Sequence, residues 1–205
     1  MLSEVQAKWT RSYNFWQGKL ARQGTSYVGR IGEDHNYQAQ LIERLYWSRV
    51  GSDAYFSDAL DFGCGYGRFT PMLSSSCGHV WAVDMLEDML AQVRGVVPNV
   101  TPIKCSWPPK LLNQDKSMDL LWVCLVFQHI VDDDLFLGTV KELSRLLKSG
   151  ARVIIIDNAV DHASHVKPRG PDVLMEALGA KVTYADKVTT NKRANDHWLI
   201  DGKVC

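Results

Sequence analysis

Apolar positions along this chain follow two rhythms, and the change between them comes near residue 58. Upstream, the segment Asn36 to Arg49 sets Tyr37, Leu41 and Leu45, with Ile42 and Tyr46 beside them, at the spacing of one helix face. Residues 1–50 read as mostly helical, broken near Gly24 to Gly32, and form an N-terminal helical cap. From Asp58 onward, short apolar runs alternate with helix-period segments. Strands are predicted at 58–62, 79–83, 99–105, 118–125 and 151–157, and helices at 68–76, 86–95 and 133–148. The last of these helices places Phe136, Val140, Leu143 and Leu147 on one face. It opens on Asp132-Asp133-Asp134 and closes near Lys148, both suited to the helix dipole. Gly150 ends it, and the unbroken apolar run that follows suits a strand buried on both faces.

Alternating strands and helices imply a parallel sheet with right-handed crossovers. After Asp157 the pattern predicts a loop, a short helix near Pro171 to Leu178, and two further strands at Ala180–Val188 and His197–Asp201. No repeat, low-complexity tract or linker interrupts it, so residues 1–205 read as a single domain with a core over 51–205.

The chemistry concentrates where the first strand ends. Gly63, Gly65 and Gly67 follow Phe62 at alternate positions. Glycine belongs where the backbone needs a positive φ or a ligand must lie against it. A glycine turn between strand and helix is where a doubly wound sheet takes a nucleotide-like ligand. The dinucleotide pattern G-x-G-x-x-G is absent, because Arg68 stands where its third glycine belongs. Asp61, just before the turn, would repel a pyrophosphate and suits an ammonium group. Asp84 ends the next apolar run, where a carboxylate can accept from both hydroxyls of a ribose. It can equally serve as an N-cap ahead of Leu86 to Met89. Turn and acids together describe a phosphate-free nucleoside with an amino-acid tail.

Four ordered segments, Asp61 to Gly67, Val83-Asp84, Met118 to Cys124 and Leu146 to Asp157, resemble the motifs of class I S-adenosylmethionine-dependent methyltransferases. The resemblance covers residues 58–157, about half the chain. It implies a Rossmann-like, seven-stranded, mostly parallel sheet with an antiparallel last strand and helices on both faces. It implies S-adenosyl-L-methionine as cofactor and S-adenosyl-L-homocysteine as product. Gly63, Cys64 and Gly65 would let the backbone approach the cofactor, with Asp61 near its ammonium and Asp84 on its ribose. Met85, Ser106 and Trp107 would meet the adenine, and Cys124 and Leu125 would pass close through their backbone. Arg30 would pair with the carboxylate. His129, just after the fourth strand, would be the catalytic base, histidine being the side chain suited to proton transfer near neutrality; the plainer alternative is a loop anchor. The N-terminal aromatics Trp9, Tyr13, Trp16 and Tyr27 read as packing more readily than as a cation cage.

Composition narrows the partners. Charges balance at 23 basic and 23 acidic residues, without the basic surplus that a nucleic-acid backbone calls for. The tract Lys167, Arg169, Lys181, Lys187, Lys192 and Arg193 reads as a solvated face. Five cysteines without metal-ligand spacing suggest free thiols in a reducing compartment and no metal site. The start lacks a signal peptide and no run reaches membrane-span length, so a soluble cytoplasmic protein is expected, with no membrane partner. Leu125-Val126-Phe127-Gln128 lacks the Pro-Pro motif of DNA amino-methylating enzymes. The expected function is methyl transfer to a nitrogen or oxygen nucleophile, with a small-molecule acceptor. The alternatives are a protein or peptide amine acceptor, or a binding protein without turnover.

Overall fold

The computed structural model describes residues 4–23, 33–106, 111, 114–161, 163–189 and 196–205. Two helices, α1 (Glu4–Gln23) and α2 (Glu33–Val50), precede the first strand. The alternating region follows as β1 (Phe56–Phe62), α3 (Thr70–Ser76), β2 (Cys77–Asp84), α4 (Glu87–Val93), β3 (Val100–Lys104) and β4 (Met118–Cys124). A single 3-10 turn, Phe127–His129, leads to α5 (Asp133–Leu146) and β5 (Leu147–Asn158). The chain closes with α6 (Pro171–Ala177), β6 (Ala180–Thr189) and β7 (Asp196–Val204).

The seven strands form one sheet in the order β3-β2-β1-β4-β5-β7-β6. Pairs from β3 through β5 are parallel, and β7 runs antiparallel to both of its neighbours. The predicted mostly parallel sheet with an antiparallel last strand is therefore the one observed. Strand β6 lies at the sheet edge, largely exposed, with a register shift between Val182 and Tyr184.

The two faces of the sheet are read out residue by residue, because successive side chains point to opposite sides. Leu121 and Val123 of β4, with Val153 and Ile155 of β5, join Phe136, Val140 and Leu143 of α5 and Leu174 of α6. Leu120, Trp122, Ile154 and Ile156 point the other way, against Ile42 and Tyr46 of α2 and Met72 and Leu73 of α3. Trp122 is fully buried there, edge-on to both Tyr46 and Phe69. Helix α2 is also tied to the sheet by charge. Asp201, 2 % exposed, takes Arg152 through both carboxylate oxygens and Arg49 through one.

Boundaries moved by a few residues where tertiary pairing overrides local pattern. Strand β5 begins at Leu147, before the predicted 151, because Leu147 pairs with Met118 across a register irregularity. The same pairing takes Leu147 and Lys148 from the predicted helix, which stops at Leu146. At the other end Asp132 caps α5, its Oδ1 accepting from the backbone N–H of Asp134 and Leu135. Arg169 is a correction. Expected on a solvated face, it is buried, with its guanidinium over the Phe136 ring at 3.9 Å. It donates to the carbonyls of Phe127 and Ile130 and to Asp133 Oδ1. An apolar ring with three acceptors around it outweighs the hydration of that one cation.

Candidate functional site

Reversal of strand order between β1 and β4 opens a crevice at their carboxyl ends, the usual ligand position in such sheets. The glycine turn sits there. Gly63 N–H and Cys64 N–H both donate to the Val83 carbonyl, at 2.8 and 2.9 Å, which stitches the turn to the end of β2. Gly63, Gly65 and Gly67 all have positive φ, at 74°, 57° and 86°. At Gly63 two demands coincide, since an added Cβ would also lie 2.3 Å from Val126 Cγ2.

Asp84 stands at the tip of β2 and does two things at once. Its Oδ2 accepts from Gly65 N–H at 3.0 Å and its Oδ1 from Leu86 N–H at 2.9 Å. Burial raises its pKa, partly offset by those backbone donors. Three backbone donors, those of Leu86, Gly65 and Met85, leave about one of the carboxylate's four acceptor sites for a ligand. Helix α4 itself is capped at Leu86 without a side-chain bond, so Asp84 turns the chain and does not cap the helix.

Three cavities meet at this end. The first, about 150 Å³, is mostly apolar, and Gly63, Gly65, Asp84, Met85, Leu125 and Trp9 line it. The second, about 320 Å³, runs along Gly63, Cys64, Gly65, Arg68, Cys124 and Leu125. The third, about 420 Å³, opens between α1 and the segment after the 3-10 turn. Trp16 and His129 line all three.

The sequence-picked residues distribute unevenly over this site. Gly63, Cys64, Gly65, Asp84, Met85, Cys124, Leu125 and His129 line the cavities. Asp61 lies beneath the turn, 3 % exposed, accepting from the Thr70 hydroxyl at 2.7 Å. Burial pushes its pKa up to about 7, with the Thr70 bond opposing and the Asp84 charge adding. Ser106 is exposed and is not among the lining residues, while its neighbour Cys105 is. Arg30 and Trp107 lie outside the described residues. Burial holds the Cys64 and Cys124 thiols well above the usual thiol range, so neither is a nucleophile near neutrality.

His129 is held through a chain of hydrogen bonds that fixes its tautomer. Gln128 Oε1 accepts from Asn158 N–H at 2.7 Å, so the Gln128 amide nitrogen is the donor to His129 Nε2 at 3.0 Å. His129 Nδ1 therefore carries the proton and donates to the His165 carbonyl at 3.2 Å. Its ring meets Trp16 edge-on at 4.7 Å and stacks on His165 at 5.6 Å.

Sequence reasoning missed two contributors, Arg68 and Arg169, and the backbone strain at Leu125, a residue it did name. Arg68 was read only as a departure from a glycine pattern, yet it lines the second cavity, its guanidinium donating to Gln38 Oε1 of α2. Leu125 takes a positive φ of 60°, rare and costly for a leucine, at the point where β4 leaves the sheet. Arg169 holds both ends of the turn that carries His129. No local pattern announces the last two, since each depends on a distant partner.

Comparison with known proteins agrees with the geometry. Residues 60–155 match the family described as methyltransferase domain. Over 112 residues the chain is 30% identical to alpha N-terminal protein methyltransferase 1 of Caenorhabditis elegans, covering 53% of this chain and 47% of that protein. It thus spans about half the length of this curated relative. The fold is similar to that of N-methyltransferase NodS from Bradyrhizobium japonicum, solved with S-adenosylhomocysteine. The TM-score is 0.74 at 15% identity, over 94% of this chain and 98% of that one. It is also similar to phosphoethanolamine N-methyltransferase 1 of Haemonchus contortus, with a TM-score of 0.72 at 17% identity over 100% of this chain and 50% of that one. At such identities the two structures speak to fold alone. The motif order, the strand order and the family match over residues 60–155 agree with one another, and together they support a class I S-adenosylmethionine-dependent methyltransferase domain.

Proposed function

We propose that the chain transfers the methyl group of S-adenosylmethionine to a nitrogen or oxygen nucleophile of a small molecule. It does so as one cytoplasmic domain, residues 1–50 capping a cofactor-binding core of residues 51–205. The observation that carries the reading is Asp84. Its carboxylate is aimed into a mostly apolar cavity by the very glycine turn whose backbone lines that cavity. That suits a ribose beside an uncharged base and offers nothing to a pyrophosphate.

The residues present fit the cofactor. Gly63 and Gly65 keep the turn free of side chains, Met85 and Cys105 wall the adenine end, and Arg68 supplies a cation in the cavity beside Cys64 and Cys124, where the carboxylate would lie. When bound, the cofactor would supply an activated methyl group on a sulfonium centre, open to in-line displacement by the lone pair of the acceptor with the electron pair left on sulfur. The protein's part is alignment and exclusion of water. His129 serves as a positioning residue, because its Nε2 already accepts from Gln128. A proton leaving the acceptor passes to solvent.

A second reading, a peptide amine as acceptor, is favoured by the similarity to the worm protein methyltransferase. Titration calorimetry tests the cofactor half. S-adenosylmethionine should bind, and Asp84→Ala should weaken it by roughly 1–3 kcal/mol, the worth of charge-assisted hydrogen bonds. Unchanged affinity in the variant, or binding of NAD with S-adenosylmethionine ignored, would overturn the assignment. Labelled methyl transfer into a cell extract, with the labelled product identified by mass spectrometry, separates small-molecule from peptide acceptors and both from a binding protein without turnover.

A further inference from the structure

The third cavity shares Trp16, His129 and His165 with the cavity of the glycine turn, so a ligand seated in it would adjoin that turn. Its α1 wall is aromatic. Phe15, 37 % exposed, meets Trp16 edge-on at 5.2 Å, and the His165 ring lies 5.6 Å from Phe15. Such a wall suits a flat ring. Aromatic faces also attract cations, but here that position is taken by the chain itself. The Lys19 ammonium lies 4.7 Å from the Phe15 ring centre and 5.5 Å from that of Trp16.

Charge around the cavity points the same way. Among the described lining residues the one carboxylate is Asp132. Its Oδ1 is taken by two backbone N–H groups of α5 and its Oδ2 by Lys8 Nζ at 3.0 Å. A ligand ammonium finds no unclaimed acid there. Lys8 is likewise matched, by Asp132, Asp134 and Glu4. Arg11 differs. It lines the cavity and, among the described residues, makes no hydrogen bond or ion pair. Helix α1 as a whole carries Lys8, Arg11, Lys19 and Arg22 against Glu4 alone.

We infer that the methyl acceptor is a small planar aromatic carboxylate, its ring against Phe15 and Trp16 and its acid group paired with Arg11. Arg11 is then a specificity-determining residue, distant from the reacting atoms. The inference rests on the transferase reading only in calling this ligand the acceptor.

The test uses two probes with one ring and opposite charge, indole-3-acetate and tryptamine. Each is titrated calorimetrically into the full chain, with and without saturating S-adenosylhomocysteine. Indole-3-acetate should bind at least about tenfold more tightly, in keeping with one charge-assisted pair. Arg11→Glu should abolish or reverse that preference, and Arg11→Lys should retain most of it. An unchanged melting temperature in Arg11→Glu confirms that the fold is intact. Tryptamine binding as tightly as the acid, a preference that survives Arg11→Glu, or neither probe binding would each overturn the inference. Failure of S-adenosylhomocysteine to bind would instead overturn the transferase reading, and the cofactor-free titrations would still decide the indole preference.

Discussion

At Asp61 burial works against the ionised carboxylate, and the pKa of about 7 makes that a statement about stability. The ordinary value is 3.8, so across the window from about 4 to 7 the folded chain holds a proton that the unfolded chain has released. Stability contributed through this group is therefore full at low pH and falls as pH rises through the folded value. Asp61→Asn keeps an acceptor for the Thr70 hydroxyl and removes the charge. Urea unfolding should find it more stable than the parent by up to about 4 kcal/mol at pH 8, the gap closing towards zero near pH 4. A destabilised variant at pH 8 would mean that the carboxylate is solvated after all. The same charge is what an ammonium group above the turn would recruit, so cofactor affinity should rise with pH through about 7 in the parent and stay flat in the variant. The placement of Asp84 and of the glycines at the crevice could be read from sequence because type and spacing are local signals. Leu125 and Asp61 show the limit. Nothing in a leucine announces a positive φ, and an acid at a strand end looks the same whether it faces a ligand or a threonine.

Among the elements, the 3-10 turn Phe127–His129 is held by groups far from it in sequence. Arg169 reaches the carbonyls of Phe127 and Ile130, Lys167 N–H reaches that of Gln128, and Asp157 Oδ2 accepts from Gln128 N–H. Arg169→Met fills similar volume but abandons two carbonyls and Asp133. It should cost about 2–4 kcal/mol of global stability. Amide exchange at residues 127–130 should quicken more than at β4, and a uniform change across both would assign Arg169 to general packing instead. The order of elements was legible because the period of the apolar pattern changes with each one. Their ends were less so. Leu147 fits a helix face by spacing, and only its pairing with Met118 puts it in a strand. Arg169 lies in a basic tract that by composition belongs to solvent, and Phe136 beneath it is 33 residues away.

For the whole molecule, helices on two faces of one sheet and a cavity at its carboxyl edge couple ligand binding to global unfolding. S-adenosylhomocysteine at a hundredfold excess over its dissociation constant should add about 2.7 kcal/mol. For a chain of this size that raises the melting temperature by about 5–11 °C. Asp84→Ala should lose most of the rise, and no shift in the parent would mean that the folded chain does not bind the ligand. No helix among the described residues is long and apolar enough to cross a membrane. With charges balanced at 23 and 23, mutual repulsion between copies gives little protection near neutral pH. The sheet edge at β6 then matters for a reason unrelated to chemistry. Its Lys181, Asp186 and Lys187, with the irregularity after Val182, make a poor template for a neighbouring strand, so this border keeps crowded copies from zipping into aggregates.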